Sequence, residues 1–215
     1  MKMKSSNLND LIVLVADKNM EFAIKGILQR TETLKIRPLK SDIHVHPERD
    51  PGCYLKGPDF LSSFCEDYKY AILIMDYEGS GHEHHISKAE IEDGLESQLA
   101  SKGWENRSCA IVIEPELDVW VWSDSPEVDN ILGWADRRPR LRDWLNRKGF
   151  AAPDSQKPHE PKNALNSALY EVRKPRSSRI YQDIATKVSL KRCVDPAFLK
   201  LKSILMKWFG KDKPL

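Results

Sequence analysis

Three unbroken apolar runs mark out the first 135 residues: Leu11-Ile12-Val13-Leu14-Val15-Ala16, Tyr70-Ala71-Ile72-Leu73-Ile74-Met75 and Cys109-Ala110-Ile111-Val112-Ile113. Runs this short, without polar alternation, predict strands buried on both faces, as in a parallel sheet. After the first, Met20, Ala23, Ile24, Ile27 and Leu28 recur at helical spacing, with Asn19 as the predicted cap. Ile43 and Val45 face one way from an extended segment, and His44 and His46 face the other. Pro47-Glu48-Arg49-Asp50-Pro51-Gly52 predicts a loop, since two prolines and a glycine oppose regular structure. A short helix is expected over 58–67. Another runs from the capping-box tetrad Ser87-Lys88-Ala89-Glu90 to about residue 101, before Gly103.

Beyond Gly133 the pattern is helical only. Helices are predicted over 140–149, over 161–173, from Ser177 or Ser178 to Val188, and over 196–210. Asp195-Pro196 supplies the last with a cap and a first-turn proline. The expected fold is α/β: a mostly parallel sheet flanked by helices in residues 8–135, with a helical part, 136–215, packed against it.

Charge divides at the same place. Residues 136–215 carry 20 Lys or Arg against 8 Asp or Glu, a surplus of 12, while residues 1–135 carry the other 14 and 24, a deficit of 10. The basic part suits a polyanionic partner such as nucleic acid; attraction between the two halves, or to an acidic protein, explains it equally well. No apolar run approaches the roughly 18 residues of a membrane span, so no membrane partner is expected. The N-terminus does not read as a signal peptide. The four cysteines are scattered without a CxxC pair, which suits reduced thiols in a cytoplasmic protein.

Open α/β sheets do their chemistry just past the carboxyl ends of the strands. Acids cluster at those places: Asp17, with Glu21 one turn on, then Asp76 and Glu78, then Glu114 and Glu116. Carboxylates gathered at one edge repel unless a proton or cation relieves them. Oxygen ligands favour Mg²⁺ or Mn²⁺, which polarises a phosphoryl oxygen and activates water. Solvated loop acids are the plain alternative. His44, His46, His82, His84 and His85 offer nitrogen ligands to zinc, although no thiol pair completes a site; a solvated loop and a polar strand face account for them too. Arg137, Arg138, Arg140 and Arg142 form one dense basic run, and Lys174, Arg176 and Arg179 another. Both are candidate phosphate-backbone contacts, or else solvated helix faces. The six tryptophans read mainly as core.

Asp17 with Glu21, followed by Asp76-Tyr77-Glu78, resembles the paired motifs of the Toprim domain of topoisomerases, primases and related nucleases. There a strand ends in Glu-Gly with a downstream acid, and a later strand ends in Asp-x-Asp. This chain has Asp17 for the Glu, Lys18 for the glycine and Glu78 for the second Asp. The stretch Pro115-Glu116-Leu117-Asp118-Val119-Trp120, with Arg173-Lys174-Pro175-Arg176-Ser177-Ser178 and Asp195-Pro196-Ala197-Phe198, also resembles small bacterial Toprim-like proteins encoded in methylation-associated phage-defence loci. That likeness spans most of the chain. It implies a defence context, while the Toprim resemblance implies a Mg²⁺-dependent nuclease or phosphotransfer component, with Asp76 and Glu78 on the metal and Asp17 as acid/base. Glu21 is expected beside Asp17, and Glu114 and Glu116 are expected to add to the metal site. A non-catalytic subunit binding nucleic acid or another defence protein is the alternative. Val15-Ala16-Asp17-Lys18-Asn19 with Ile74-Met75-Asp76 also resembles a phosphoacceptor receiver domain, but the 59 positions from Asp17 to Asp76 are many for that fold.

Overall fold

A computed structural model describes residues 8–83, 85–152, 155 and 157–211. In it the apolar runs become neighbouring strands. β1 (Asn9–Val15), β2 (Ser41–Val45), β3 (Tyr68–Asp76) and β4 (Ser108–Ile113) form one sheet in the order β2-β1-β3-β4. Every pairing is parallel, and Val15 lies beside Ile74 as Asp76 lies beside Ile113, so the carboxyl ends line up along one edge. The chain runs outward from β1 to β2, then crosses back to place β3 on the other side of β1. The gap between β1 and β3 is therefore where the winding reverses, the position at which open α/β sheets form a ligand crevice.

Helix α1 (Lys18–Leu28) and the one-turn α2 (Thr31–Leu34) connect β1 to β2. Helix α3 (Arg49–Ser62) leads to β3, and α4 (Lys88–Leu99) leads to β4 through a π turn at Ala100–Trp104. Right-handed crossovers put α1 on one face of the sheet and α3 with α4 on the other. The capping box forms as expected: Ser87 Oγ accepts from Glu90 N, and Glu90 Oε2 accepts from Ser87 N at 2.8 Å.

After β4 come a 3₁₀ turn (Leu117–Trp120), α5 (Pro126–Leu132), α6 (Leu141–Arg147), α7 (Pro161–Glu171), α8 (Ser178–Lys187) and α9 (Pro196–Phe209). Helix α8 lies along α1. Gly26 makes the approach possible, because a Cβ there would stand 2.7 Å from Ala185 Cβ and 2.9 Å from the Gln182 carbonyl. Helix α9 stacks Trp208 on Tyr70 of β3, ring centroids 4.5 Å apart. Buried side chains from both halves merge into one continuous core. The buried indoles find carbonyl acceptors, as burial of an N–H demands: Trp104 on Leu61, Trp122 on Pro161 and Trp134 on Ala168. No helix among the described residues is long and apolar enough to cross a membrane.

The structure corrects the sequence reading in three places. The expected loop over 47–52 is mostly the first turn of α3, which begins at Arg49, well before residue 58. Pro51 is tolerated there because first-turn N–H groups have no helical partner. The inward face of α3 is Cys53, Gly57 and Leu61, at helical spacing but built from residues that fit close against a sheet. The 3₁₀ turn over Leu117–Trp120 was not expected from the periodicity. The seven-residue α5 was not expected.

Candidate functional site

Three carboxylates meet at the winding reversal. Asp17 follows β1 and caps α1, its Oδ1 accepting from Met20 N at 2.9 Å. Asn19, the expected cap, instead accepts from Ser178 Oγ at 2.9 Å and so ties the site to α8. Asp76 ends β3, and its Oδ1 accepts from Leu117 N at 2.8 Å. The backbone N–H of Asp76 in turn donates to Asp50 Oδ1 at 2.8 Å.

Asp50 is the member the sequence reading missed. A tight reversal after β2 delivers it. Buried His46 accepts from Glu48 N through Nδ1 at 3.1 Å, and the chain folds back over the ring. Gly52 is required, since a Cβ there would fall 2.2 Å from His46 Nδ1. Burial holds the His46 pKa below the usual histidine value, consistent with a neutral ring acting as acceptor. The signal available in the sequence was Asp50-Pro51-Gly52, separated from a strand by four residues, compatible with a turn at a sheet's active edge but not specific to one.

Burial, reinforced by Asp17, raises the Asp50 pKa. Asp76 is driven well above the carboxylate range, first by burial and then by Asp50 and Asp17. The cluster is thus electrostatically unsatisfied when fully ionised.

A second set of acids follows β4, and each has a cation from the C-terminal half. Buried Glu116 accepts from Lys162 Nζ at 2.7 Å, at the start of α7. Buried Asp118 accepts from Arg176 Nη2 at 2.8 and 3.0 Å and from the Tyr181 hydroxyl at 2.8 Å. Lys162 and Arg176 line the same cleft, of about 540 Å³, as Asp17, Asp50, Asp76 and Glu78, and Arg49 stands with them.

Of the expected metal and catalytic residues, Asp17, Asp76 and Glu78 come together in this cleft, and Glu116 borders it through Lys162. Glu21 does not line it; its oxygens are held by Lys18 at 2.7 Å and Lys25 at 2.5 Å along α1. Glu114 is exposed and also lies outside the lining. Two helix-turn neighbours and a strand-end residue share an edge in sequence, but side-chain direction decides which of them reach the crevice.

Among the described residues, no set of three or more His, Cys, Asp or Glu side chains stands ready to enclose a metal. The histidines do not supply the zinc alternative. His44 and His46 pack on Phe60, and His82 packs at a tilt against Tyr54, ring centroids 4.2 Å apart. His84 lies outside the described residues.

The two basic runs adjoin. Lys174 donates to the Ile131 carbonyl at the end of α5, and Arg137 lies over Trp134 and reaches Glu171 at 3.7 Å. Arg138 and Arg140 are exposed on the segment before α6. Arg142 stands 3.9 Å from Asp124, and Arg179 pairs with Asp183 at 2.8 Å. Arg176 departs from the group, because it turns inward to Asp118.

Comparison of the chain with protein-family models, with curated proteins and with solved structures finds no match.

Proposed function

We propose that the protein is a Mg²⁺- or Mn²⁺-dependent phosphoryl-transfer enzyme of nuclease type, acting in a bacterial anti-phage defence system. The observation that carries this is the meeting of Asp17, Asp50 and Asp76 at the winding reversal, with Asp76 strongly destabilised as an anion. The defence setting rests on the resemblance of the 115–120, 173–178 and 195–198 segments to proteins of such loci.

The donor set suits a hard cation that keeps most of its water. Mg²⁺ is commonly held by one or two carboxylates plus substrate phosphates, so a closed three-residue cage is not required. Asp76 and Asp50 would hold it, with Glu78 at the open rim. When bound, the ion supplies Lewis-acid polarisation of a phosphoryl oxygen and lowers the pKa of a bound water. Asp17 lines the cleft and spends Oδ1 on its cap, while Oδ2 accepts only from Asn19 Nδ2 at 3.5 Å; it would take a proton as general base. The exposed arginines at 137, 138 and 140 would follow a nucleic-acid backbone.

The test is cleavage of labelled single- and double-stranded DNA and RNA with Mg²⁺ or Mn²⁺. Asp76→Asn should cost more than the roughly 10- to 100-fold lost with an outer-shell partner of a metal ligand. Asp17→Asn should cost about 10²- to 10⁴-fold. Wild-type rates in both variants would refute the enzyme. Salt-sensitive nucleic-acid binding without cleavage would favour a non-catalytic subunit that recognises nucleic acid or another defence protein.

A further inference from the structure

We propose that Arg49 seats the anionic phosphoryl group of the substrate in the carboxylate cleft; this rests on the phosphoryl-transfer reading above. Arg49 is one of three cationic side chains that line the cleft, with Lys162 and Arg176. The other two are committed: Lys162 is 2.7 Å from Glu116, and Arg176 grips Asp118 and the Tyr181 hydroxyl. The Arg49 guanidinium is exposed and, among the described residues, makes no hydrogen bond, ion pair or ring contact. It stands free although Asp50 is the next residue and Asp76 lies beyond it.

The backbone at this position adds an independent observation. Arg49 has φ +53°, in the left-handed region, where a glycine would sit at lower free energy. A strained non-glycine residue in a cleft supports an inference toward function. No polar or ring partner among the described residues occupies the guanidinium, although it lines the cleft. Its worth lies with a ligand.

The ligand's chemistry follows from the neighbours. A simple carboxylate or sulfate would face three acids with only one free cation to hold it. A phosphoryl group that arrives with a divalent cation brings the positive charge that Asp50 and Asp76 lack, and offers its outer oxygens to Arg49. The planar guanidinium meets two such oxygens at once, which an ammonium does not. Arg49 thus binds substrate, and the carboxylates opposite bind its cation.

The test uses the full chain and inorganic pyrophosphate with Mn²⁺, followed by calorimetry, alongside thermal unfolding. Arg49→Ala and Arg49→Gly should each weaken pyrophosphate binding by roughly 10- to 100-fold. Arg49→Gly should at the same time raise the metal-free Tm by roughly 2–4 °C as the left-handed strain is relieved. Arg49→Lys should recover only part of the affinity. A structural arginine would give the opposite pairing, a lower Tm with unchanged affinity. Wild-type affinity in Arg49→Ala and Arg49→Gly, or no pyrophosphate binding by the wild-type chain, overturns the proposal. Asp76→Asn separates the two claims. If it abolishes the Mn²⁺ dependence while the Arg49 variants bind normally, the metal reading stands and the Arg49 assignment fails. If the Arg49 variants lose binding while Asp76→Asn and metal removal change nothing, Arg49 binds phosphate and the metal reading fails.

Discussion

Asp76 ends β3 and Asp118 follows the neighbouring β4 at the same edge of the sheet, and the fold treats them in opposite ways. Asp118 is buried with an arginine and a tyrosine hydroxyl upon it, and its neighbour Glu116 has a lysine. Asp76 is half-buried with two further acids beside it, and its carboxylate accepts from one backbone N–H, that of Leu117, with Lys162, already bound to Glu116, as the cation facing it across the cleft. The protein had cations to spare, since residues 136–215 carry a surplus of 12. It spent two of them on the β4 side. Paired carboxylates there bind the C-terminal helices to the sheet. The acids around Asp76, a few residues away, have no such partner, and on the function proposed above they would take up positive charge from outside.

The largest expected effect falls on the paired side. Arg176→Met leaves Asp118 buried without its partner and should cost about 3–5 kcal/mol, read from urea unfolding. Replacing Asp118 and Arg176 together by Leu and Met should recover most of that loss, because the penalty lies in the orphaned charge. A small loss in the single variant would mean that the pair does not fasten the halves.

Gly52→Ala comes next. The added methyl would overlap the His46 ring, and overpacking of this kind costs about 1–3 kcal/mol. It should also displace Asp50 and so depress cleavage more than stability alone explains. Full activity at reduced Tm would detach Asp50 from the site.

On the unpaired side the sign reverses. Asp76→Asn should stabilise the metal-free protein at pH 8 by about 0.5–2 kcal/mol, as relief of a strained functional residue commonly does. The pH dependence follows from the raised Asp76 pKa. Between the ordinary carboxylate value and that raised value, the folded state holds a proton the unfolded state has released. Stability is therefore full below this window and falls as pH rises through it. Thermal unfolding from pH 4 to 8 should show the fall in wild type, a flatter curve in Asp76→Asn, and a flatter curve with saturating Mg²⁺. A wild-type Tm that rises over that range would contradict the assignment.

The smallest effect is at Glu21. Its partners Lys18 and Lys25 are largely exposed, so Glu21→Gln should cost under about 1 kcal/mol and leave cleavage unchanged. A dead Glu21→Gln enzyme would restore the motif reading that puts this acid in the mechanism.

Strands were legible because burial on both faces leaves little but aliphatic side chains, and β1, β3 and β4 sit on the three apolar runs. Asp17 and Asp76 were legible for the same reason, each being the first acid after such a run. Asp50 was not. Its helix opens in a stretch of proline and glycine whose local preference is for a loop, and packing against the sheet overrides that preference. Glu21 misled because helical spacing fixes a face but not which neighbour takes up the charge. Arg49 and Arg176 were both visible as basic residues. Only tertiary geometry separates the one left open from the one turned inward.

The seam between α1 and α8 has a consequence for how the chain is made. Ala23 and Ile27 are covered by Tyr181, Ile184 and Ala185, residues that leave the ribosome more than 150 positions later. At roughly 5–20 residues per second, the nascent sheet waits many seconds with that flank bare. Synthesis in vivo should therefore lean on chaperones until the final helices emerge, and a fragment ending at residue 135 should aggregate.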